Sequence, residues 1–180
     1  PKPQNHVDVF FHKDYEGGYA WFFPKGKTAN VGVGVIPGKT SLLIELLDHF
    51  LDDLVESRKL SSIEIIAKTG GSIPCGKPGQ TVFGNTLLVG DAAGHAHPIT
   101  GAGILNAVVG GDIAGRIAAE AVDHGDLRYL ENYEKEWRET FGKSLSYGAL
   151  KREFLEENWS KPGVCFEELI RKTWVGFKEY

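Results

Sequence analysis

The sequence predicts a mixed α/β (α+β) protein, in which an antiparallel sheet precedes a strand, a glycine loop and a packed helix. Three observations predict this fold class. Glycine turns separate short β-rich runs in the first third, an apolar run ends at Gly90-Asp91, and apolar residues recur at helical spacing in the last third.

Four segments have the composition of β-strands. They are the alternating residues 7–11, the aromatic residues 19–23, the valine-rich residues 29–36 and the β-branched residues 63–68. Gly17-Gly18 and Lys25-Gly26-Lys27 separate the first three runs, and both are typical of turns. Short runs joined by short turns predict an antiparallel sheet.

A helix is predicted next, with Thr40 or Ser41 as its N-cap. Leucine and phenylalanine recur every three or four residues from Leu42 to Leu54, which gives one apolar face. Asp52 and other acidic residues fall largely on the opposite, exposed side.

The second half is predicted to contain one more strand and several helices. Residues 86–89 are an apolar run that is typical of a buried parallel strand. Residues 101–122 are small and apolar, and they predict a helix packed closely on that strand. A long amphipathic helix is predicted over residues 127–145, which residues 144–159 either extend or follow as a separate helix. Pro162-Gly163 ends the pattern, and residues 164–177 predict a final helix.

The composition is that of a globular chain and excludes some classes of function. Hydrophobic residues make up 42% and charged residues 24%, which is enough for a core. The formal net charge is -4, with 20 Lys and Arg against 24 Asp and Glu, so we expect no nucleic-acid partner. No run approaches the roughly 20 apolar residues of a membrane-spanning helix.

Cys75 and Cys165 are too few for a disulfide framework, so we expect a reducing, cytoplasmic compartment. The first residues carry no apolar signal-peptide core. Methionine is absent, and this fits either removal of an initiator or excision from a longer protein.

The stretch from Gly90 to Ile104 has the features of a ligand-binding loop. The carboxyl end of a parallel strand is where ligands bind in open α/β sheets, and Asp91 there can accept hydrogen bonds from a sugar-alcohol hydroxyl. Gly101, Ala102 and Gly103 leave backbone N–H groups open at a helix N-terminus, which attracts negative charge. The alternative is that these glycines only permit close helix–sheet packing.

This run, GDAAGHAHPITGAGI, resembles the second FAD-binding motif of the glutathione-reductase-like (p-hydroxybenzoate-hydroxylase-like) flavoproteins. The resemblance implies that Asp91, with Gly90 before it, contacts the ribityl chain of FAD. It also implies that the isoalloxazine ring lies along the loop and helix start. The residues implied there are Pro98, Gly101, Ala102, Gly103 and Ile104. Hydroxylases, halogenases and reductases share this motif.

A second motif lies in the aromatic run. Tyr19, Trp21 and Phe23 share one face of a strand because side chains alternate, and Pro24 follows them. Seven residues then precede Gly32-Val33-Gly34. Three rings on one face suit an apolar tunnel, although the same rings can also form core.

This pattern resembles the signature of the geranylgeranyl reductase family. The resemblance implies that Tyr19, Trp21, Phe23 and Pro24 line the cavity of an isoprenoid lipid. It covers about residues 7–122 and implies three regions. Residues 1–80 are the substrate-binding antiparallel sheet with one helix, residues 81–125 are the C-terminal part of a Rossmann-like FAD-binding domain with its closing strand and helix, and residues 126–180 are a C-terminal helical region.

The function implied is that of an FAD-dependent oxidoreductase that saturates C=C bonds of a geranylgeranyl lipid. The resemblance implies an electron donor, either NAD(P)H or ferredoxin, and a lipid substrate implies peripheral contact with a membrane. A G-x-G-x-x-G turn for the ADP part of FAD does not occur, so we expect the chain to be the C-terminal half of an enzyme and inactive alone. No catalytic residue is identified. Two alternatives stay open: an FAD-dependent monooxygenase or halogenase on the same scaffold, and a truncated, non-catalytic module that binds a lipid or a partner.

Other signals predict no separate function. Gly38-Lys39-Thr40 fails the spacing of a phosphate-binding P-loop. His95 and His97 lack further ligands, so no metal site is predicted. His97 is either a histidine near the flavin edge that influences proton delivery or an ordinary solvent-facing or backbone-bonded residue. Cys75 is either a redox-active or substrate-lining thiol or an inert one.

Overall fold

The computed structural model describes residues 6–180, which fold into two compact units. The first unit contains the described residues up to Ser72 together with Glu156–Ile170. The second contains Ile73–Leu155 together with Arg171–Tyr180. Helices and small antiparallel sheets make up the structure, so the predicted mixed α/β class is confirmed.

A three-stranded antiparallel sheet forms the centre of the first unit. Its strands are β1 (Asp8–Phe10), β2 (Ala20–Lys25) and β3 (Thr28–Val33), in the order β1-β2-β3. Gly26 has a φ of +65° in the tight turn between β2 and β3, a conformation that glycine adopts without strain. The turn fixes the register, in which Trp21 lies opposite Gly32.

Helix α1 (Leu43–Glu56) covers one face of this sheet. Its Phe50 and Leu54 pack against Ala20 and Phe22 of β2, and all four side chains are buried. The predicted cap at Thr40 or Ser41 is wrong, because a 3₁₀ turn (Pro37–Leu42) occupies these positions. The Thr40 hydroxyl donates to the carbonyl of Pro37 instead, and no side chain caps α1.

The predicted strand at residues 63–68 is also wrong. These residues form no strand, and their side chains are exposed, Ile66 to 78%. Alternating β-branched residues favour an extended backbone, but a strand exists only where a neighbour accepts its hydrogen bonds.

A two-stranded hairpin opens the second unit. It consists of β4 (Val82–Phe83) and β5 (Thr86–Leu87), which pair antiparallel around Gly84. The predicted parallel strand over residues 86–89 is therefore wrong in two respects. Only its first two residues pair, and they pair antiparallel, because β4 lies two residues away along the chain and a tight turn permits no other direction.

Four helices follow the hairpin in sequence. They are α2 (Ile104–His124), α3 (Glu131–Trp137), α4 (Lys143–Asn158) and α5 (Phe166–Thr173). A 3₁₀ turn (Leu127–Leu130) leads into α3, and a π-helical turn (Arg138–Gly142) joins α3 to α4. Residues 144–158 thus extend the preceding helix, which was one of the two possibilities, and α5 is shorter than predicted.

The core of the second unit is built around two buried aromatic residues of α3. Trp137 and Tyr133 are fully buried among Ile113, Ile117 and Leu145. The Trp137 indole N–H donates to the Thr81 hydroxyl at 2.8 Å, and the Tyr133 hydroxyl donates to the Leu88 carbonyl at 2.8 Å. Their polar atoms are therefore satisfied, as burial requires.

Neighbouring residues of β2 should differ sharply in their effect on stability. Phe22→Ala removes a fully buried ring and should lower the free energy of unfolding by about 3–5 kcal/mol. Phe23→Ala removes a half-buried ring on the other face and should cost less than half as much. Denaturant unfolding of both variants checks this, and equal losses would contradict the assignment of faces.

Candidate functional site

The face of the sheet that points away from α1 carries a row of aromatic rings. Tyr19 and Trp21 have ring centroids 5.9 Å apart, and Trp21 and Phe23 have theirs 6.4 Å apart. Phe11 extends the row, 6.4 Å from Tyr19. All four are half-buried, and none belongs to the buried cluster beneath α1. We call these four rings the aromatic face.

The Trp21 indole is fixed by β3. Its N–H donates to the Asn30 side-chain oxygen at 2.6 Å. Its ring lies over Gly32, where a Cβ atom would come within 2.1 Å of Trp21 Cζ2. Glycine at this position is therefore required for the indole to lie flat on the strand.

The second glycine of the Gly-x-Gly pair has a different role. A Cβ on Gly34 would meet no atom closer than 3.8 Å, so its own side-chain position is open. A Cβ on Gly18, however, would lie 2.0 Å from the Gly34 carbonyl oxygen. Close backbone approach thus depends on Gly18, which the signature did not single out.

Pro24 does not share the aromatic face. Alternation along β2 places it on the side of Ala20 and Phe22, opposite Ala29 of β3. Asn30, by contrast, lies opposite Phe23 and reaches Trp21, although it was not predicted. Asn30 can be identified from the sequence by counting the residue pairs of β2 and β3 outward from the turn at Gly26.

The glycine loop of the second unit begins at a sharp change of direction. Gly90 and Gly94 have φ of +63° and +70° and bracket a 3₁₀ turn (Gly90–Ala93). Gly90 is buried, and a Cβ on it would lie 3.2 Å from the Ala107 Cβ of α2. The turn leaves Asp91 exposed at the surface.

Asp91 lies beside the start of α2. A Cβ on Gly103, the N-cap of α2, would be 3.2 Å from Asp91 Oδ1. No side chain caps this helix, and its first turn holds no acidic residue. The structure thus brings together a carboxylate and the uncapped N-terminus of a 21-residue helix.

The remaining loop residues differ in what they present. Ala102 is exposed, and the Ile104 side chain is 85% exposed. Gly101 has a φ of +66°, and a Cβ there would lie 3.3 Å from Ile73. Pro98 is fully buried and packs near Gly148 of α4, so its side chain shapes the loop from inside.

His95 and His97 form no metal centre with their surroundings. Within residues 6–180, no group of three His, Cys, Asp or Glu side chains is arranged to hold a metal ion. His95 is fully buried, with its ring 4.6 Å from Trp137 and 5.0 Å from Phe141, and neither ring nitrogen has a hydrogen-bond partner. Burial, helped by the charge of Arg138, lowers the pKa of His95 to about 4.

Acid should destabilise the protein through His95. Its pKa is about 4 when folded and about 6.5 when unfolded, so the unfolded state binds more protons between these values. The free energy of unfolding should therefore fall as the pH drops from about 6.5 to about 4, by up to roughly 3 kcal/mol. His95→Leu should remove this part of the pH dependence, measured by denaturant unfolding across that range. The same slope in both proteins would contradict it.

Gly32 in β3 and Gly34, just after the strand, allow a matched comparison. Gly32→Ala should displace the Trp21 indole, because the added Cβ overlaps the ring, and should break the bond to Asn30. Gly34→Ala adds a methyl group in ordinary contact and should leave the indole in place. The ¹⁹F resonance of fluorotryptophan at position 21, assigned with Trp21→Phe, reports the change. An unshifted resonance in Gly32→Ala would contradict the packing described.

No helix in the described part of the chain has the length and apolarity needed to cross a membrane.

Comparison with known proteins places these features in a family. Residues 3–73, which include the aromatic face, match the family model of the geranylgeranyl reductase catalytic domain. A digeranylgeranylglycerophospholipid reductase of Methanococcus aeolicus is 38% identical over 94% of this chain and 45% of its own length. A protein of the same name from Methanothrix thermoacetophila is 41% identical over 77% of this chain and 36% of its own.

A solved structure has the same fold. It is that of a geranylgeranyl bacteriochlorophyll reductase-like protein from Thermoplasma acidophilum, with a TM-score of 0.78 and 28% identity over 96% of this chain and 43% of that one. The chain thus spans less than half the length of these relatives. The motif, the family model over residues 3–73 and the relatives agree in pointing to the geranylgeranyl reductase family.

Proposed function

We propose that this chain is part of an FAD-dependent oxidoreductase that saturates carbon–carbon double bonds of an isoprenoid, geranylgeranyl-type lipid. The observation that carries the proposal is the aromatic face, which lies within the segment that matches the family model. Three regions are proposed with it: residues 1–80 for the substrate, 81–125 for the flavin and 126–180 as a helical support.

The aromatic face suits a long hydrocarbon chain. Its rings follow one another at about 6 Å and are only half-buried, so they offer an apolar strip. An isoprenoid bound along it would bury apolar surface of both the lipid and the rings. This burial contributes about 25 cal/mol of favourable free energy for each Å². Tyr19, Trp21 and Phe23 would bind and orient the lipid, with the indole held by Asn30.

The glycine loop suits the flavin end of FAD. Asp91 is exposed and can accept hydrogen bonds from the ribityl hydroxyls, and Gly101–Gly103 lets a flat ring approach the backbone. The uncapped start of α2 would stabilise negative charge on the ring. When bound, FAD supplies the hydride equivalent for the alkene. Gly90, Ala102 and Ile104 complete the proposed contacts, and Pro98 acts from within the loop.

The chain's own residues would bind and orient the lipid and exclude water from it. No side chain is assigned as the proton donor. Electrons would come from NAD(P)H or ferredoxin. The lipid substrate implies peripheral contact with a membrane, and the two free cysteines fit a cytoplasmic location. The GDAAG loop alone is equally compatible with a flavin monooxygenase or halogenase, but the aromatic face favours the reductase.

The proposal is tested on the longest natural polypeptide that contains this chain. The protein is incubated without oxygen with FAD, dithionite and a geranylgeranyl glycerolipid, and the lipid is analysed by mass spectrometry. We expect mass increases of one hydrogen pair for each saturated bond. Oxygen incorporation under aerobic conditions would instead indicate a monooxygenase, and lipid binding without flavin binding would indicate a non-catalytic module.

Gly103, the N-cap of α2, and Gly115 within α2 together test the flavin surface. Gly103→Ala adds a methyl group 3.2 Å from Asp91 Oδ1 and should push the carboxylate aside, raising the Kd of FAD about tenfold, or about 1.4 kcal/mol. Gly115→Ala meets nothing within 4 Å and should leave the Kd unchanged. Flavin fluorescence titration measures both, and an unchanged Kd in Gly103→Ala would argue against this surface.

A further inference from the structure

His97 is bonded to its own loop at four points. Its Nδ1 accepts from the backbone N–H of Ile99 at 3.3 Å and of Thr100 at 3.4 Å. Its backbone N–H donates to the Ala102 carbonyl, and its carbonyl accepts from the Gly101 N–H, both at 2.8 Å. One residue therefore holds the whole backbone from 98 to 102, immediately before α2.

These bonds assign the protonation state of the ring. Backbone N–H groups can only donate, so Nδ1 carries no proton and the neutral ring is protonated at Nε2. The Tyr180 hydroxyl lies 3.5 Å from Nε2, at the outer limit of a hydrogen bond. Burial lowers the pKa of His97, which favours the neutral form that the loop requires.

The other side of the His97 ring is packed. A Cβ on Gly148 of α4 would lie 3.1 Å from His97 Cε1 and 3.0 Å from Pro98 Cδ. The Tyr180 ring packs edge-on against Tyr147, and the ammonium group of Lys151 lies over both rings at 5.3 Å and 5.2 Å. The imidazole is thus held between its loop, α4 and the Tyr180 segment.

We propose that His97 is the positioning residue of the cofactor loop: its neutral imidazole holds residues 98–102 in the conformation that leaves the start of α2 open to FAD. This inference rests on the proposed function for the identity of the ligand. The role differs from proton delivery, because Nδ1 is occupied by the loop and Nε2 faces Tyr180.

Two substitutions separate the two ring nitrogens. His97→Asn keeps an acceptor near the position of Nδ1, since an asparagine side chain can accept from the N–H two residues on. His97→Gln places its amide nearer the position of Nε2 and leaves the Ile99 and Thr100 N–H groups without that acceptor. Tyr180→Phe is a third variant, which removes only the outer hydroxyl.

The measurements use the longest natural polypeptide with this chain. We expect His97→Asn to bind FAD within about threefold of the parent protein and to keep its flavin absorption spectrum. His97→Gln should bind at least about tenfold more weakly, because two backbone donors lose their partner. Tyr180→Phe should resemble the parent. Equal weakening by Asn and Gln, or none by Gln, would overturn the proposal.

Amide hydrogen exchange of residues 99–102, which all carry a backbone N–H, provides a readout without FAD. Protection should be retained in His97→Asn and lost in His97→Gln, with the thermal midpoints of the two variants similar. If the parent protein bound no flavin, the proposed function would fail, whereas this exchange difference would still show that His97 holds the loop. Equal protection in both variants would refute the positioning role itself.

Discussion

The alternation of side chains between the two faces of β2 is the constraint on which the first unit depends. One strand has to supply core residues to α1 and an aromatic row to its other face, and a shift of one residue would exchange the two sets. The turn at Gly26 fixes the register, and the overlap of Trp21 with Gly32 permits no bulkier residue opposite the indole. The lipid surface proposed here is therefore a consequence of the same pairing that builds the core.

In the second unit, the corresponding constraint is that the N-terminus of α2 has to stay accessible. Ser, Thr, Asp and Asn are the side chains that favour the N-cap position, whereas the N-cap of α2 is Gly103, which has none. The positive φ of Gly90 turns the surrounding backbone, and the hydrogen bonds of His97 hold it in place. Buried Trp137 and Tyr133 anchor this loop's neighbours through hydrogen bonds to Thr81 and Leu88.

Local patterns predicted what depends on local physics. The antiparallel sheet of β1, β2 and β3, the amphipathic face of α1 and the face shared by Tyr19, Trp21 and Phe23 follow from periodicity and turn residues, which act over a few positions. The prediction of a strand at residues 63–68 was wrong, because a strand needs a neighbouring strand to pair with and composition does not reveal one. The contact of Asn30 with Trp21 was missed, since it depends on the strand register. A backbone-bonded His97 was one of the possibilities, but the residues that it bonds depend on the folded loop.

The most direct test of the central claim, that the aromatic face binds an isoprenoid chain, is to map where a photoreactive geranylgeranyl lipid attaches. The longest natural polypeptide with this chain would be labelled under light, digested and sequenced by mass spectrometry. The account predicts adducts on Phe11, Tyr19, Trp21 or Phe23 that unlabelled lipid competes away and that Gly32→Ala reduces, because the indole is displaced. Competed adducts confined to other surfaces, such as the exposed Ile65 and Ile66, would contradict it.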